Sequence, residues 1–436
     1  MRFRLDPLSP QSEATPPMSS TIAVEDLRIG IYVQLEGGWL SHPFPLSGFR
    51  IASEEQLVTL RGLGLRQVRW VPEKSDPPES VVSVLHAAAP RPAPSPAETA
   101  AAQRRQAMAD QREAQQRCER QYGEAARAWR EASDAVSLCP EDARRQSEAL
   151  AAAMLDKLLV DSDIGIRLVN FAGADRSAAH ALNVAVISLL IGRTLGLQGD
   201  ELHDLGVGAL LHDVGKIDLA ERLRHAHDGL NWVDMAAYRE HVVRGVAHGK
   251  RMALAPGALT VLAQHHEHAD GSGFPQQLSV DRMSLASRIV AIVNRYDNLC
   301  NPPARNPALT PHEAVATLFA QGRTRFDAAV LGTFIRMTGV YPAGSLVQLT
   351  DDRYAMVVGI NSSRPLKPRV LVHDPRVPKS EALLLNLEHA RDIGIRRSLA
   401  PAKMPSAALD YLDPRPRVAY YFEALATHVQ AEEVAA

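Results

Sequence analysis

The chain has 436 residues, 46% of them hydrophobic and 22% charged, which gives room for two or three globular domains at roughly 100–200 residues each. Lys plus Arg number 48 against 50 Asp plus Glu, so no overall field draws nucleic acid or an anionic membrane, and an anionic ligand needs a local site. Cys118, Cys139 and Cys300 are scattered without a C-x-x-C, which argues against a disulfide framework or a cysteine zinc site and for a reducing, cytoplasmic setting. The start, MRFRLDPLSP, has no apolar signal core. The longest mostly apolar run, Ala181–Gly192, is too short to span a bilayer.

Residues 1–19, with several Pro and Ser, read as disordered. Residues 20–72 read as a small α+β domain, with strands at Ile31–Leu35, Phe49–Ile51 and Gln67–Val71 and a helix at Glu54–Leu63. Residues 73–98 are Pro-rich and read as an extended linker. Residues 99–138 favour helix by their Ala, Gln, Glu and Arg content. The apolar stripe there is thin (Met108, Ala114, Tyr122, Ala125, Trp129), so the segment reads as a solvated connector, with a dimerising helix as the alternative. Residues 140–340 read almost entirely as helices, among them Ser147–Leu159, Ala178–Leu195, Glu201–Val214, Val233–Arg251 and Leu285–Cys300. At 341–400 the period switches, with strands at Ser345–Leu349, Tyr354–Ile360 and Arg369–His373 forming a β appendage. Residues 401–436 read as a tail with a short helix near Tyr420–Gln430. The expected fold class is mainly α, with a small N-terminal α+β domain and a small C-terminal β appendage.

Ten of the sixteen histidines lie between His180 and His268. LLHDVGK places His212, Asp213 and Lys216 at the end of an apolar helix, all on roughly one face. A charged pair beside an apolar segment needs partners if buried, and a metal cluster would supply them. Gly206, Gly208 and Ala209 leave space for another helix to approach. QHHEHADGSGFP supplies the tandem His265-His266 and then a loop with two glycines and a proline that must leave the helix. His180 and His241, taken alone, read as ordinary core or surface histidines. Five imidazoles and one carboxylate together suit iron, manganese, zinc, cobalt or nickel better than magnesium or calcium. His203-Asp204 is a second His-Asp pair without the lysine, and Asp204 and Glu201 read as first-turn acids favoured by the helix dipole. His225, His227, His248 and His268 read as surface or supporting residues.

The order His180, His212-Asp213, Lys216, His241, His265-His266 and DGSGFP closely resembles the HD-GYP subgroup of the HD phosphohydrolases, over about residues 150–340. IAVEDLRIGIYV resembles a small domain of unknown role often found ahead of such domains, and VYPAGSLVQL resembles the subgroup's C-terminal extension. The resemblance implies an all-helical catalytic domain holding two divalent transition-metal ions, iron or manganese, on His180, His212, Asp213, His241, His265, His266 and Asn294. It implies hydrolysis of cyclic di-GMP to the linear dinucleotide or to GMP, with Asp213 and Lys216 catalytic. Lys216, Asp270, Gly271, Gly273, Phe274 and Pro275 would surround the substrate, and Arg288 would be an extra phosphate partner, with a surface ion pair as its alternative role. A diguanylate cyclase or other signalling protein, and a second copy of the chain, are the candidate protein partners.

This sequence departs from the subgroup at several points. Phe274 replaces the tyrosine of the GYP loop, and Asn294 replaces an aspartate ligand by a neutral amide. The Arg-Pro-Tyr run after that helix is not evident in NPPARNPALT. Arg176 stands where some members place a third-metal glutamate, which argues for two ions. Asp297, three residues after Asn294, either compensates for it or makes a helix-surface hydrogen bond. The alternatives to an active enzyme on cyclic di-GMP are a weakened module that binds without turnover and a hydrolase of another nucleotide.

Overall fold

The computed structural model describes residues 20–35, 48–76, 95–160, 164–169, 175–224, 230–302, 307–360, 366–390, 392–415 and 417–424. The expected disorder at 1–19, most of the Pro-rich linker, and His225 and His227 lie outside them. The chain divides into two units, the first ending at Pro90 and the second running from Arg91.

In the first unit β1 (Ser20–Ala23), β2 (Tyr32–Gln34), β3 (Gly48–Arg50) and β4 (Gln67–Trp70) form an antiparallel sheet in the order β1-β4-β2-β3. Helix α1 (Glu54–Gly62) starts where Ser53 accepts the Gln56 N–H and two glutamates meet the helix dipole. Leu57 and Leu60 are buried, as are Ile31, Val33, Phe49, Ile51 and Val68 of the sheet and its connections. β1 was not among the expected strands. It is a short edge strand with only partial burial.

The second unit begins with α2 (Pro96–Ala135), whose start carries a reciprocal capping box between Ser95 and Glu98. There follow α3 (Pro140–Val160), β5 (Ile164–Leu168), α4 (Arg176–Thr194), α5 (Gly199–Leu211), α6 (Glu221–Arg224), α7 (Trp232–Arg251), α8 (Pro256–Gln264), α9 (Leu285–Cys300), α10 (Pro311–Arg325) and α11 (Ala328–Thr338). Next come β6 (Leu346–Leu349), β7 (Tyr354–Gly359), β8 (Arg369–Val372), β9 (Leu383–Asn386) and β10 (Ile395–Leu399), then α12 (Ser406–Leu412) and β11 (Tyr420–Ala424). The fold is mainly α, as expected.

Two expectations are corrected. Helix α2 is no solvated connector, because Met108, Cys118, Tyr122, Ala125, Ala126 and Ala132 are all buried and the Trp129 indole donates to the Leu210 carbonyl at 2.7 Å. Small residues carry much of that buried face, which is why the apolar stripe looked thin. The helix near Tyr420–Gln430 is instead strand β11 over its described part. It pairs antiparallel with β5, Tyr420 opposite Leu168 and Phe422 opposite Ile166, and Tyr420, Tyr421 and Phe422 are buried. Aromatic residues suit a half-buried pleated surface, and here that tertiary setting outweighs the helical reading.

The appendage is larger than its three expected strands. Its antiparallel sheet runs β10-β6-β7-β8-β9. Strand alternation buries Leu346, Leu371 and Leu399 with Met108 of α2 and Ala408 and Leu412 of α12 on one side. Val347, Ala355, Val357, Val370 and Val372 form a separate cluster on the other.

Close helix contacts set the positions that matter for chemistry. A Cβ at Gly208 of α5 would lie 2.6 Å from Val261 Cβ of α8, so this glycine lets the two helices approach, as its place in GVGALL suggested. Helix α4 is long and apolar enough to cross a membrane, but 72% of its apolar window is buried in this fold, and it carries His180.

Helix α3 carries a buried cation of its own. Lys157 of α3 is 3% exposed, with Nζ 5.2 Å from the Tyr421 ring centre, and burial pushes its ammonium from 10.5 down to about 7. The unfolded chain therefore binds more protons between those values, and stability rises with pH across that window. Lys157→Met is expected to raise stability at pH 7 by about 1–3 kcal/mol and to gain less at pH 10. Thermal melts at the two pH values check this, and a destabilised variant at pH 7 would refute it.

Candidate metal centre

Helix α5 ends at Leu211, so His212 is its C-cap and Asp213 precedes a 3₁₀ turn, Val214–Asp218. Helix α8 ends at Gln264, so His265 is its C-cap and His266 the next residue. The His212-Asp213 pair and the tandem histidines thus both stand where a chain leaves a helix C-terminus, the end whose dipole favours a cation. His180 comes from the second turn of α4 and His241 from the middle of α7.

Three of the imidazoles are oriented in the same way. His212 Nδ1 donates to the Ala209 carbonyl at 2.8 Å, His241 Nδ1 to Tyr238 at 2.6 Å and His265 Nδ1 to Leu262 at 2.9 Å. A carbonyl only accepts, so each ring keeps its proton on Nδ1 and turns a free Nε2 lone pair inward. His180 Nδ1 meets Asp297 Oδ2 at 2.6 Å, an outer carboxylate holding a ring whose Nε2 faces the cluster.

The inward nitrogens converge on Asp213. Its Oδ2 lies 3.5 Å from Nε2 of both His180 and His212, and its Oδ1 lies 3.5 Å from His241 Nε2 and 3.8 Å from His265 Nε2. Donor atoms of Asp213, His241, His265 and His266 all fall within 4.8 Å of one another, as do those of His180, His212 and Asp213. Two sets of ligating atoms therefore share one carboxylate.

These residues fit a metal. Asp213 Oδ1 and His266 Nε2 are buried without a hydrogen-bond partner, a costly state that a coordinated cation relieves. His241 and His265 bring Nε2 atoms to 3.3 Å although both rings hold their protons on Nδ1, so two lone pairs face each other. Burial pushes His212 and His241 down to about 4, and His265 and His266 well below the usual imidazole range, which keeps them neutral donors.

The charged members hold one another. Burial opposes the charge on Asp213, but Lys216 and His212 beside it keep its carboxyl well below the usual range. Burial likewise opposes the Lys216 charge, and Asp213 overrides it, with Nζ 2.5 Å from Oδ2. His180 is lowered by burial and raised further by Asp213 and Asp297, to about 9 overall.

The DGSGFP loop folds back on the tandem histidines. Glu267 is fully buried and accepts the backbone N–H groups of Gln276 at 2.6 Å and Leu278 at 2.9 Å, pinning the loop's far side. A Cβ at Gly273 would lie 2.4 Å from His268 N and 2.5 Å from Glu267 Cα, so only glycine fits there. Phe274 follows a bond from its N–H to the His266 carbonyl and stacks on the His266 ring at 4.5 Å. The role of Glu267 was not read from sequence, although its place in the HHE run was the available signal.

Other expected site residues stand elsewhere. Asp270 is exposed and accepts the Ser272 N–H at 3.0 Å, with Gly271 at a φ of +76°, so it shapes a turn. Arg288 does not line the cavity over the cluster; its guanidinium bonds to the Met283 carbonyl and to Asp327 at 3.0 Å. Asn294 does line it, but its side-chain oxygen accepts from Asn298 at 2.6 Å. Asp297 makes no surface contact: it is 1% exposed, and its other oxygen accepts from Asn183 at 2.7 Å and Asn301 at 2.9 Å. Asp204 is not in the first turn of its helix, which starts at Gly199. Its carboxylate takes the backbone N–H groups of Gly257 and Ala258 at the start of α8.

Above the cluster lies a cavity of about 1020 Å³ whose walls include His180, Asp213, Lys216, His266 and Phe274. Eight arginines line it, among them Arg130, Arg176, Arg239, Arg295, Arg325 and Arg417, against the carboxylates of Asp134, Asp175, Asp213 and Asp297. Such a wall suits an anion with more than one phosphate. Apart from Arg176, these arginines were not singled out in the sequence, because they come from elements spread over almost 300 positions.

Buried imidazoles from packed helices, facing one another around a shared aspartate, are the arrangement expected of an HD-type site. Its tandem histidines and glycine loop resemble those of the HD-GYP subgroup. The HD domain family model matches residues 132–330, and a domain of unknown function (DUF3391) matches residues 19–148. The chain is 28% identical to a cyclic di-GMP phosphodiesterase of Pseudomonas aeruginosa, over 81% of this chain and 85% of that protein. It is 31% identical to a cyclic di-GMP phosphodiesterase response regulator of Xanthomonas campestris, over 37% of this chain and 43% of that one. It is 29% identical to a 3′3′-cGAMP-specific phosphodiesterase of Vibrio cholerae, over 35% and 29% respectively. A solved HD-GYP-type protein of Bdellovibrio bacteriovorus aligns with 73% of this chain and 98% of its own at 15% identity and a TM-score of 0.40.

Proposed function

We propose that this site hydrolyses cyclic di-GMP to the linear dinucleotide or GMP, in the cytoplasm, with two divalent transition-metal ions, iron or manganese, as cofactors. The observation that carries the reading is the Asp213 carboxylate, one oxygen facing His180 and His212 and the other facing His241 and His265. The relatives' printed activities and the arginine-lined cavity support the substrate class. Bound ions would supply Lewis acidity to the phosphate and bring the pKa of water toward neutrality.

The chain's own residues do the rest. Nδ1 bonds to backbone fix the ligand rings so that no reorganisation is needed on loading. Lys216 keeps its charge beside Asp213 and reaches the cavity, where it can hold a phosphate oxygen. Phe274 packs on His266 and holds the loop against the site, and the hydroxyl it lacks is not needed for that stacking. The P. aeruginosa and X. campestris relatives are named for cyclic di-GMP and the V. cholerae one for 3′3′-cGAMP, so a substrate panel includes both dinucleotides.

Asn294 favours a second reading, a module that binds the dinucleotide with little turnover, because an uncharged amide engaged by Asn298 supplies no anionic ligand. Metal analysis and a hydrolysis assay on wild type and Asn294→Asp separate the two. The expected result is measurable wild-type turnover, with metal retention and rate raised on the order of 10-fold in the variant. No turnover in wild type across iron, manganese, cobalt and nickel loading, with binding intact, would favour the second reading. Wild-type turnover unchanged by the substitution would remove the role of Asn294 in limiting the site.

A further inference from the structure

Part of the cavity wall is built by residues near the C-terminal end of the described chain. Arg415, Arg417, Val418 and Ala419 line the cavity, together with Arg176 at the start of α4. This segment is stitched down. The Val418 carbonyl accepts from Asn183 at 3.0 Å and from Asn301 at 2.8 Å, and the Val418 N–H donates to Asn301 Oδ1 at 3.1 Å. The Tyr420 N–H donates to Asn183 Oδ1 at 2.9 Å, and the Ala419 carbonyl accepts from the Val169 N–H at 2.8 Å. The same two asparagines donate to Asp297, the carboxylate that holds His180. Strand β11 then continues the anchor against β5, and the Tyr420 hydroxyl meets that of Tyr296 of α9 at 2.9 Å.

A backbone held this tightly presents its neighbouring side chains at defined positions, as a binding site on a rigid element requires. Arg417 is exposed to the cavity, and it lies close enough to Arg176 to lower that residue's pKa, after the larger effect of burial. Arg415 has a carboxylate partner, Asp413, at 3.7 Å, a long and partly exposed pair. Two guanidinium groups on the wall of one cavity, that of Arg176 also donating to the Pro302 carbonyl, can together receive a phosphate.

We propose that Arg176 and Arg417, with Arg415 beside them, form an anion subsite that holds the phosphodiester of a cyclic dinucleotide that is not being cut. The assignment rests on the reading of the site as a cyclic dinucleotide hydrolase.

Isothermal titration of the full chain with cyclic di-GMP and, separately, with inorganic pyrophosphate tests this. The proteins are wild type, Arg417→Lys, Arg417→Ala and the Arg415→Ala/Arg417→Ala double variant, with thermal melts as a fold control. The expected result is cyclic di-GMP affinity weakened at least ~10-fold by Arg417→Ala, further by the double variant, and partly restored in Arg417→Lys. Wild-type affinity in the double variant would overturn the subsite and leave the proposed function standing. Arg417-dependent binding of pyrophosphate without binding of cyclic di-GMP would keep the subsite and overturn the function. Binding of neither probe by wild type would overturn both.

Discussion

Replacing Asp213 by asparagine is expected to cut phosphodiester hydrolysis by ~10³-fold or more and to lower bound metal together with it. The geometry gives the reason. Among the described residues Asp213 is the one carboxylate in both nitrogen sets, and its two oxygens divide between them at 3.5–3.8 Å. Asparagine keeps the shape but presents one neutral oxygen, so one set loses its anionic ligand. The change also leaves Lys216 facing an amide where Nζ now lies 2.5 Å from a carboxylate oxygen. Loss of a charge-assisted bond at a group about one-fifth exposed costs the fold on the order of 1–3 kcal/mol. Metal analysis, hydrolysis rate and thermal melting on the same preparation distinguish a lost ligand from a lost fold. If the asparagine variant kept full metal content and a tenth of the rate, Asp213 would not be the shared ligand.

What could be read from the sequence was the part in which residue type and local spacing carry the chemistry. LLHDVGK and HHEHADGSGFP each hold their histidines and glycines within a dozen residues, and the structure places them at helix ends beside one another. Partners far apart in the chain were not legible. Asp297 read as a surface residue or a spare ligand because its contact, His180, lies 117 positions away. Arg288 read either as a phosphate partner or as half of a surface ion pair, and its carboxylate partner, Asp327, begins a later helix that no local pattern linked to it. Strand β11 pairs with β5 about 250 residues earlier, and no local pattern announces such a long-range pairing. The burial of α2 was hidden by alanines, whose small side chains register weakly in a hydrophobic stripe.

Gly215→Ala is expected to be the most damaging single methyl in the helical unit, and it acts through backbone. Gly215 stands between Asp213 and Lys216 in the 3₁₀ turn, pressed on α7. A Cβ there would lie 2.0 Å from the His241 carbonyl oxygen and 2.4 Å from Gly245 N. Neither atom can rotate away, so α7 must move off the turn. His241 moves with it, out of reach of Asp213. Overpacking of this kind costs about 3 kcal/mol or more, a fall in melting temperature of roughly 4 °C or more for a unit of this size. Gly123→Ala in α2 is the matched control, since nothing lies within 4 Å of its added Cβ. There the better helix propensity of alanine should add about 0.5–1 kcal/mol. Opposite signs from the same chemical change would locate the effect in the contact between the turn and α7. A Gly215→Ala protein that melts within ~2 °C of wild type and holds its metal would mean that α7 does not press on the turn as closely as Gly215 and Gly245 allow.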